Sequence, residues 1–133
     1  MALQATAIRP EAWGWHLLGL INPVVVIAGN LLGGPFVTAG VIYMLGIGPM
    51  LDVVLGKSAL LQRPSRDSGR PFEVMLFAHA LLQLLAVGTL LLLAAGGASV
   101  WIVVFAAVST GINSGASGLI VAHELGHRRK KSF

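Results

Sequence analysis

The sequence predicts an all-α integral membrane protein with four transmembrane helices, and three observations predict it. Apolar residues make up 56% of the 133-residue chain and charged residues only 11%, with a mean hydropathy of +0.83. That is more apolar surface than a soluble chain this short can bury. The apolar residues fall into four runs of roughly 20 residues, each long enough at ~1.5 Å per residue to cross a hydrocarbon core of ~30 Å. All nine Lys and Arg residues lie in segments that four crossings place on one side.

Taken in order, the lead carries Arg9, Pro10 and Glu11. It lacks the basic n-region of a cleaved signal peptide, so the first apolar run is expected to remain as a span. Trp13, Trp15 and His16 sit where an interfacial aromatic belt belongs, and His16 reads as interfacial. The first span covers about 17–32 and is interrupted early by Asn22-Pro23, an expected kink. Gly33-Gly34-Pro35 is an uncharged turn. The second span, about 36–55, contains Gly40, Gly46, Gly48 and Pro49, with Asp52 near its end.

The polar loop that follows holds Lys57, Arg63, Arg66, Asp67 and Arg70. The third span, about 72–93, carries His79 and Gln83, and Gly96-Gly97-Ala98-Ser99 is a second uncharged turn. The fourth span, about 100–122, leads directly into His123-Glu124-Leu125-Gly126-His127 and then Arg128-Arg129-Lys130-Lys131. No repeat or soluble domain boundary interrupts this single transmembrane domain.

The positive-inside rule places the lead, the middle loop and the histidine motif in the cytoplasm of a multi-pass inner (plasma) membrane protein. The net charge of +4 therefore reads as topology and contact with lipid headgroups, with no nucleic-acid partner implied. The absence of cysteine excludes thiolate ligands and leaves His, Asp and Glu to hold any metal.

His123 and His127 are four residues apart, so a helix stacks them on one face, where two imidazoles can grip one metal ion. The plain alternative is two surface histidines at a basic helix end. Two chemistries compete for the metal reading. In a zinc intramembrane protease, Glu124 is the catalytic base between two ligands, and Leu51-Asp52 is a candidate third-ligand segment. There Asp52 precedes the histidine pair, whereas such proteases place their Asp after it. Val53 also stands where a Gly is expected.

The second chemistry is oxygenation. Ile112-Asn113-Ser114-Gly115 followed by Ala122-His123-Glu124-Leu125-Gly126-His127-Arg128 resembles the first histidine box of the membrane alkane 1-monooxygenases. Gly48-Pro49-Met50-Leu51-Asp52-Val53-Val54-Leu55-Gly56-Lys57 is similar to the Pro-x-Leu-Asp stretch at which that family's second span leaves the membrane. The resemblance implies a desaturase/hydroxylase-like helical fold with two non-haem Fe ions at the cytoplasmic helix ends. It also implies a rubredoxin-type electron donor, and insertion of an oxygen atom from O2 into a terminal C–H bond of an alkane or similar apolar substrate. His123 and His127 become iron ligands, and Glu124 a supporting group. The chain matches about the first third of such an enzyme and lacks the later histidine boxes. It is thus expected to be an N-terminal part, inactive alone. A non-catalytic membrane fragment or subunit is the remaining alternative.

His79 is a further metal-ligand candidate, because an ionisable side chain within a span is functional by default; the alternative is a neutral interhelical hydrogen bond. Asp52 is a candidate for supporting a ligand, or an anchor for Lys57 or Arg63. Asn113 reads as an interhelical hydrogen bond. Gly111, Gly115, Gly118 and Ala122 form a small-residue stripe expected to pack against a partner helix.

Overall fold

A computed structural model describes residues 13–55, 69–119 and 123, without the side chains of residues 13–16, 52, 55 and 69–72. The described residues form helices joined by short turns, arranged as four helical arms. The first arm begins as a 3-10 helix, Trp13–Leu20, and becomes α1, Ile21–Leu32. The change of winding falls just before Asn22-Pro23, the interruption that the sequence marks. Pro23 sits in the first turn of α1, where its missing N–H costs least. The arm ends at Gly33 (φ +69°), whose N–H donates to the Gly29 carbonyl at 3.0 Å, and Gly34 follows at φ +54°. Positive φ at two successive positions requires glycine.

The second arm is built from short pieces: a 3-10 turn Gly34–Thr38, α2 at Ala39–Ile42, a π turn at Tyr43–Ile47 and α3 at Gly48–Leu55. Pro49 explains the π turn. It has no N–H for the Leu45 carbonyl, and its ring would collide with that carbonyl in an α-helix. The chain widens instead, and the Gly48 N–H reaches back five residues to the Tyr43 carbonyl. The third arm is a single helix of 27 residues, α4 at Gly69–Ala95, which begins three residues before the predicted span and ends two after it. The fourth is α5, Val100–Asn113, continued by a second π turn at Ser114–Gly118.

The arms run alternately. Asn30 of α1 reaches Ala86 and Thr89 of α4, and Gly33 lies against Leu93, so α1 and α4 run the same way. The Gly33-Gly34 and Gly96-Gly97 turns consequently share one end. At the opposite end α3 stops, α4 starts and α5 runs on toward the histidine motif.

The interior is inverted relative to a water-soluble protein. Among the described residues, the buried hydrophobics are Val26, Val37, Ala86 and Ala106, whereas Asn22, Asn30, His79, Ser109, Thr110 and Asn113 are also buried. Leu32, Leu84, Leu92, Trp101 and Val100 face outward, each more than two-thirds exposed. Three stretches, Gly34–Leu51, Glu73–Ala95 and Val100–Gly118, are long and apolar enough to cross a membrane, while Leu17–Leu32 is apolar but shorter. A polar interior with an apolar exterior is compatible with a membrane protein, where the solvent is itself apolar.

The tight backbone contacts differ from those expected. A Cβ on Gly29 would strike the Phe36 carbonyl, and one on Gly40 would strike Val26 and lie 2.7 Å from Ser109 Oγ. Gly111 and Gly115 have nothing within 4 Å of a Cβ position, and only Gly118 of the described stripe approaches another arm, at the Gln83 side chain. The packed face of α5 is Ala106, Ser109, Thr110 and Asn113. At ~100° per residue that face lies opposite Gly111 and Gly115. Gly111 and Gly115 of the stripe thus face away from the other arms, Gly118 approaches Gln83, and Ala122 lies outside the described residues.

Candidate functional site

The buried polar side chains of α1, α4 and α5 join in a seam between the arms. Asn22 Nδ2 donates to Asn113 Oδ1 at 2.8 Å, and Asn113 Nδ2 donates to Gln83 Oε1 at 3.0 Å. Ser114 Oγ donates to the same Gln83 oxygen at 3.1 Å. Gln83 Nε2 in turn donates to Ser117 Oγ at 2.9 Å and lies 3.2 Å from His79 Nε2. In the assigned amide orientation Gln83 Nε2 lies within hydrogen-bond distance of His79 Nε2, so that ring nitrogen is engaged by the seam.

A second cluster lies nearer the glycine end, where Asn30 Nδ2 is 3.3 Å from the Ala86 carbonyl, 3.3 Å from Thr89 Oγ1 and 3.2 Å from Thr110 Oγ1. Asn30 and its two threonines carried no signal in the sequence beyond being polar within apolar runs.

Both π turns flank one open cavity of about 350 Å³ at the end of the bundle from which the histidine motif leaves. The first arm contributes Leu18, Gly19 and Asn22. The second contributes Tyr43 and Met44 from its π turn and Gly48, Pro49 and Leu51 from α3. Ser117 closes the wall from the π turn after α5. That turn has a local cause: Ser117 Oγ donates to the Asn113 carbonyl at 2.6 Å, competing with the backbone donor that an α-helix would use. Leu119 N–H then bonds the Ser114 carbonyl, five residues back.

Among the described residues, three buried polar atoms have no hydrogen-bond partner: Asn22 Oδ1, Asn30 Oδ1 and Ser109 Oγ. Of these residues, Asn22 alone lines the cavity. Asn22 Nδ2 also lies 3.6 Å from Met44 Sδ, a weak acceptor on the opposite wall.

His123 is helical and exposed, and takes part in an interaction of its own. Glu124, His127 and the basic run that follows lie outside the described residues, as do Lys57, Arg63 and the side chains of Asp52 and His16. Among the described residues, which include His123 and His79 but neither Glu124 nor His127, no three His, Cys, Asp or Glu side chains converge as a metal site would require. His79 is 7% exposed within the polar seam. Asn113 makes the interhelical hydrogen bonds expected of it. No family model matches the chain, and no curated protein or solved structure matches it.

Proposed function

We propose that the chain is the ligand-bearing membrane part of a non-haem di-iron monooxygenase of the alkane 1-monooxygenase type, acting on terminal C–H bonds of alkanes or similar apolar substrates. The observation that carries the reading joins sequence to structure. The segments that resemble that family are 48–57 and, about 70 residues later in two parts, 112–115 and 122–128. Gly48, Pro49 and Leu51 of the first line a cavity together with Asn22, and Asn22 Nδ2 donates at 2.8 Å to Asn113 Oδ1 of the second. Family-like residues that come this near to one place are more specific than either segment alone.

In this reading all four arms span the inner membrane. The first arm reaches the needed length through its 3-10 segment: eight residues at ~2.0 Å and twelve at ~1.5 Å extend about 34 Å. Both termini and the middle loop are cytoplasmic, following the cations. His123 and His127 hold iron, Glu124 supports them, and Asp52 sits at the mouth of the second arm as a supporting carboxylate. His79 acts on the site through the seam, and ligation by it requires release from Gln83. Bound iron supplies the activation of O2, with electrons from a rubredoxin-type donor. The four histidines of the chain do not fill the shells of two irons, so the reading requires further ligands, and this chain alone is expected not to turn over.

Metal analysis tests it. The purified protein, loaded anaerobically with Fe(II) in the presence of equimolar Zn(II), is expected to retain iron, with retention falling at least tenfold in His123→Ala and His127→Ala. Retention of a single zinc that survives Glu124→Gln, with peptidase activity that does not, supports the zinc protease instead. Equal metal content in the wild type and both histidine variants overturns both readings and leaves a non-catalytic membrane segment.

A further inference from the structure

The π turn Ser114–Gly118 ends five residues before His123. A backbone bond that reaches back five residues holds one residue more per turn than an α-helix does. Every residue after such a turn is therefore set back by ~100° around the helix axis. The packed face of α5 includes Asn113. Unbroken α winding would turn Gly118 ~140° away from Asn113, toward the outside. The structure instead places Gly118 beside Gln83, the side chain to which Asn113 Nδ2 donates at 3.0 Å. The set-back accounts for this, because it brings Gly118 to within ~40° of Asn113.

The histidines are turned by the same amount. Unbroken α winding would leave His123 ~80° and His127 ~40° from Asn113, toward the bundle. Set back by one residue, His123 comes to ~180° and His127, by its spacing, to ~140°, on the side opposite the seam. His123 is exposed, in keeping with the second arrangement. Side chains hold the turn from within the bundle. Ser117 Oγ donates to the Asn113 carbonyl at 2.6 Å and accepts from Gln83 Nε2 at 2.9 Å. Gln83 Oε1 accepts from Ser114 Oγ at 3.1 Å, so one amide grips both halves of the turn.

We propose that Ser117 is a positioning residue: clasped by Gln83, it keeps the π turn and so aims the His123–His127 pair away from the bundle. This role rests on the two histidines as metal ligands, but not on oxygen chemistry. It also sets where the rest of a metal shell comes from. The ligands that this chain lacks are met on the outer side of α5, and His79, buried in the seam, is not among them.

The test reads the direction of the pair with Cu(II), an ion that imidazoles bind well. The chain has no cysteine, so a nitroxide is attached at one introduced site, Leu84→Cys on α4 or Ile42→Cys on α2, both exposed. Copper–nitroxide distances are measured by pulsed electron spin resonance on the full chain in lipid nanodiscs, with His123→Ala identifying the copper held by the pair. An ion ~6 Å from the helix axis moves about 9 Å when the helix turns by ~100°. Ser117→Ala is expected to shift at least one of the two distances by about 5 Å or more. Ser117→Thr keeps the hydroxyl that bonds the carbonyl four residues back, and should leave both distances in place. Deleting Ala116 from the Ser117→Ala chain takes one residue out of the turn, so that plain α winding restores the original direction and the distances return. A merely structural role for Ser117 gives no such rescue. Unchanged distances in a folded, copper-loaded Ser117→Ala, or no return on deletion, overturn the proposal and leave the metal reading standing. Should Ser117→Ala fail to fold, deletion of Ala116 from the unaltered chain decides. Distances that stay within ~2 Å, the axial rise lost being ~1.5 Å, support the proposal, and a shift of about 5 Å or more overturns it. A chain whose His123 and His127 take up no copper fails both this inference and the metal reading.

Discussion

Breaking the link between Asn22 and Asn113 tests whether the polar seam, and not apolar packing, holds the arms in register. Asn113→Ala removes the acceptor of a 2.8 Å bond from Asn22 and the donor of a 3.0 Å bond to Gln83. Interhelical hydrogen bonds in membranes average ~0.6 kcal/mol, with a maximum of ~1.7. Two of them, together with the Gln83 oxygen left with one donor, set the expected loss at about 1–3 kcal/mol. In a double-mutant cycle of Asn22→Ala and Asn113→Ala, the interaction should be ~0.6–1.7 kcal/mol, because removing either partner already breaks the shared bond. Asn22→Ala with Thr89→Ala should be additive, since Thr89 bonds to Asn30 and not to Asn22. The assay is equilibrium unfolding in mixed micelles by titration with a denaturing detergent, followed by helical circular dichroism. Coupling within ~0.3 kcal/mol of zero for the first pair, the additivity of unconnected sites, would refute the seam as the register-setting element.

Other outcomes follow from the same geometry. Gly40→Ala pushes a methyl group into Val26 and Ser109 and should cost about 1–3 kcal/mol in the same assay, whereas Gly115→Ala on the outer face should change stability by less than ~0.5 kcal/mol. Pro49→Ala restores the donor that the Leu45 carbonyl lacks; the second arm should regain α-helical winding, seen as slower amide exchange at residues 45–49. Asn30→Leu removes the group that bridges α4 and α5 near the glycine end and should lower stability by about 1–2 kcal/mol, measured by the detergent midpoint.

Much of the scaffold was legible from the sequence because its signals are local. The two uncharged glycine turns need positive φ, at Gly33 and Gly34 in the first and at Gly97 in the second, and only glycine adopts it freely, so both turns announced themselves. Apolar run length gave the arms to within a few residues. Asn113 was legible as an interhelical bond because an amide in an apolar helix has few other options. What remained hidden depends on which faces meet. A stripe of small residues at helical spacing marks a face able to pack closely, but not that a neighbour occupies it, and Gly111 and Gly115 look outward while Gly29 and Gly40 carry the close contacts. The π turns were equally hidden. Pro49 was visible in the second, but its consequence depends on whether the helix breaks, kinks or widens, and the backbone around it decides that. The cavity follows from both π turns together, so no single stretch of sequence encodes it.

The inverted interior also has a thermodynamic consequence. The heat capacity increment of unfolding comes mainly from apolar surface newly met by water, about 12–15 cal/mol/K per residue in water-soluble proteins. The described residues contribute four buried hydrophobic side chains, all Val or Ala, and in the membrane setting proposed above, arms that separate within the apolar phase expose even those to hydrocarbon. The increment should therefore be a small fraction of the usual value. The stability of this bundle should vary almost linearly with temperature, without the dome-shaped curve of soluble domains, and cooling should not unfold it.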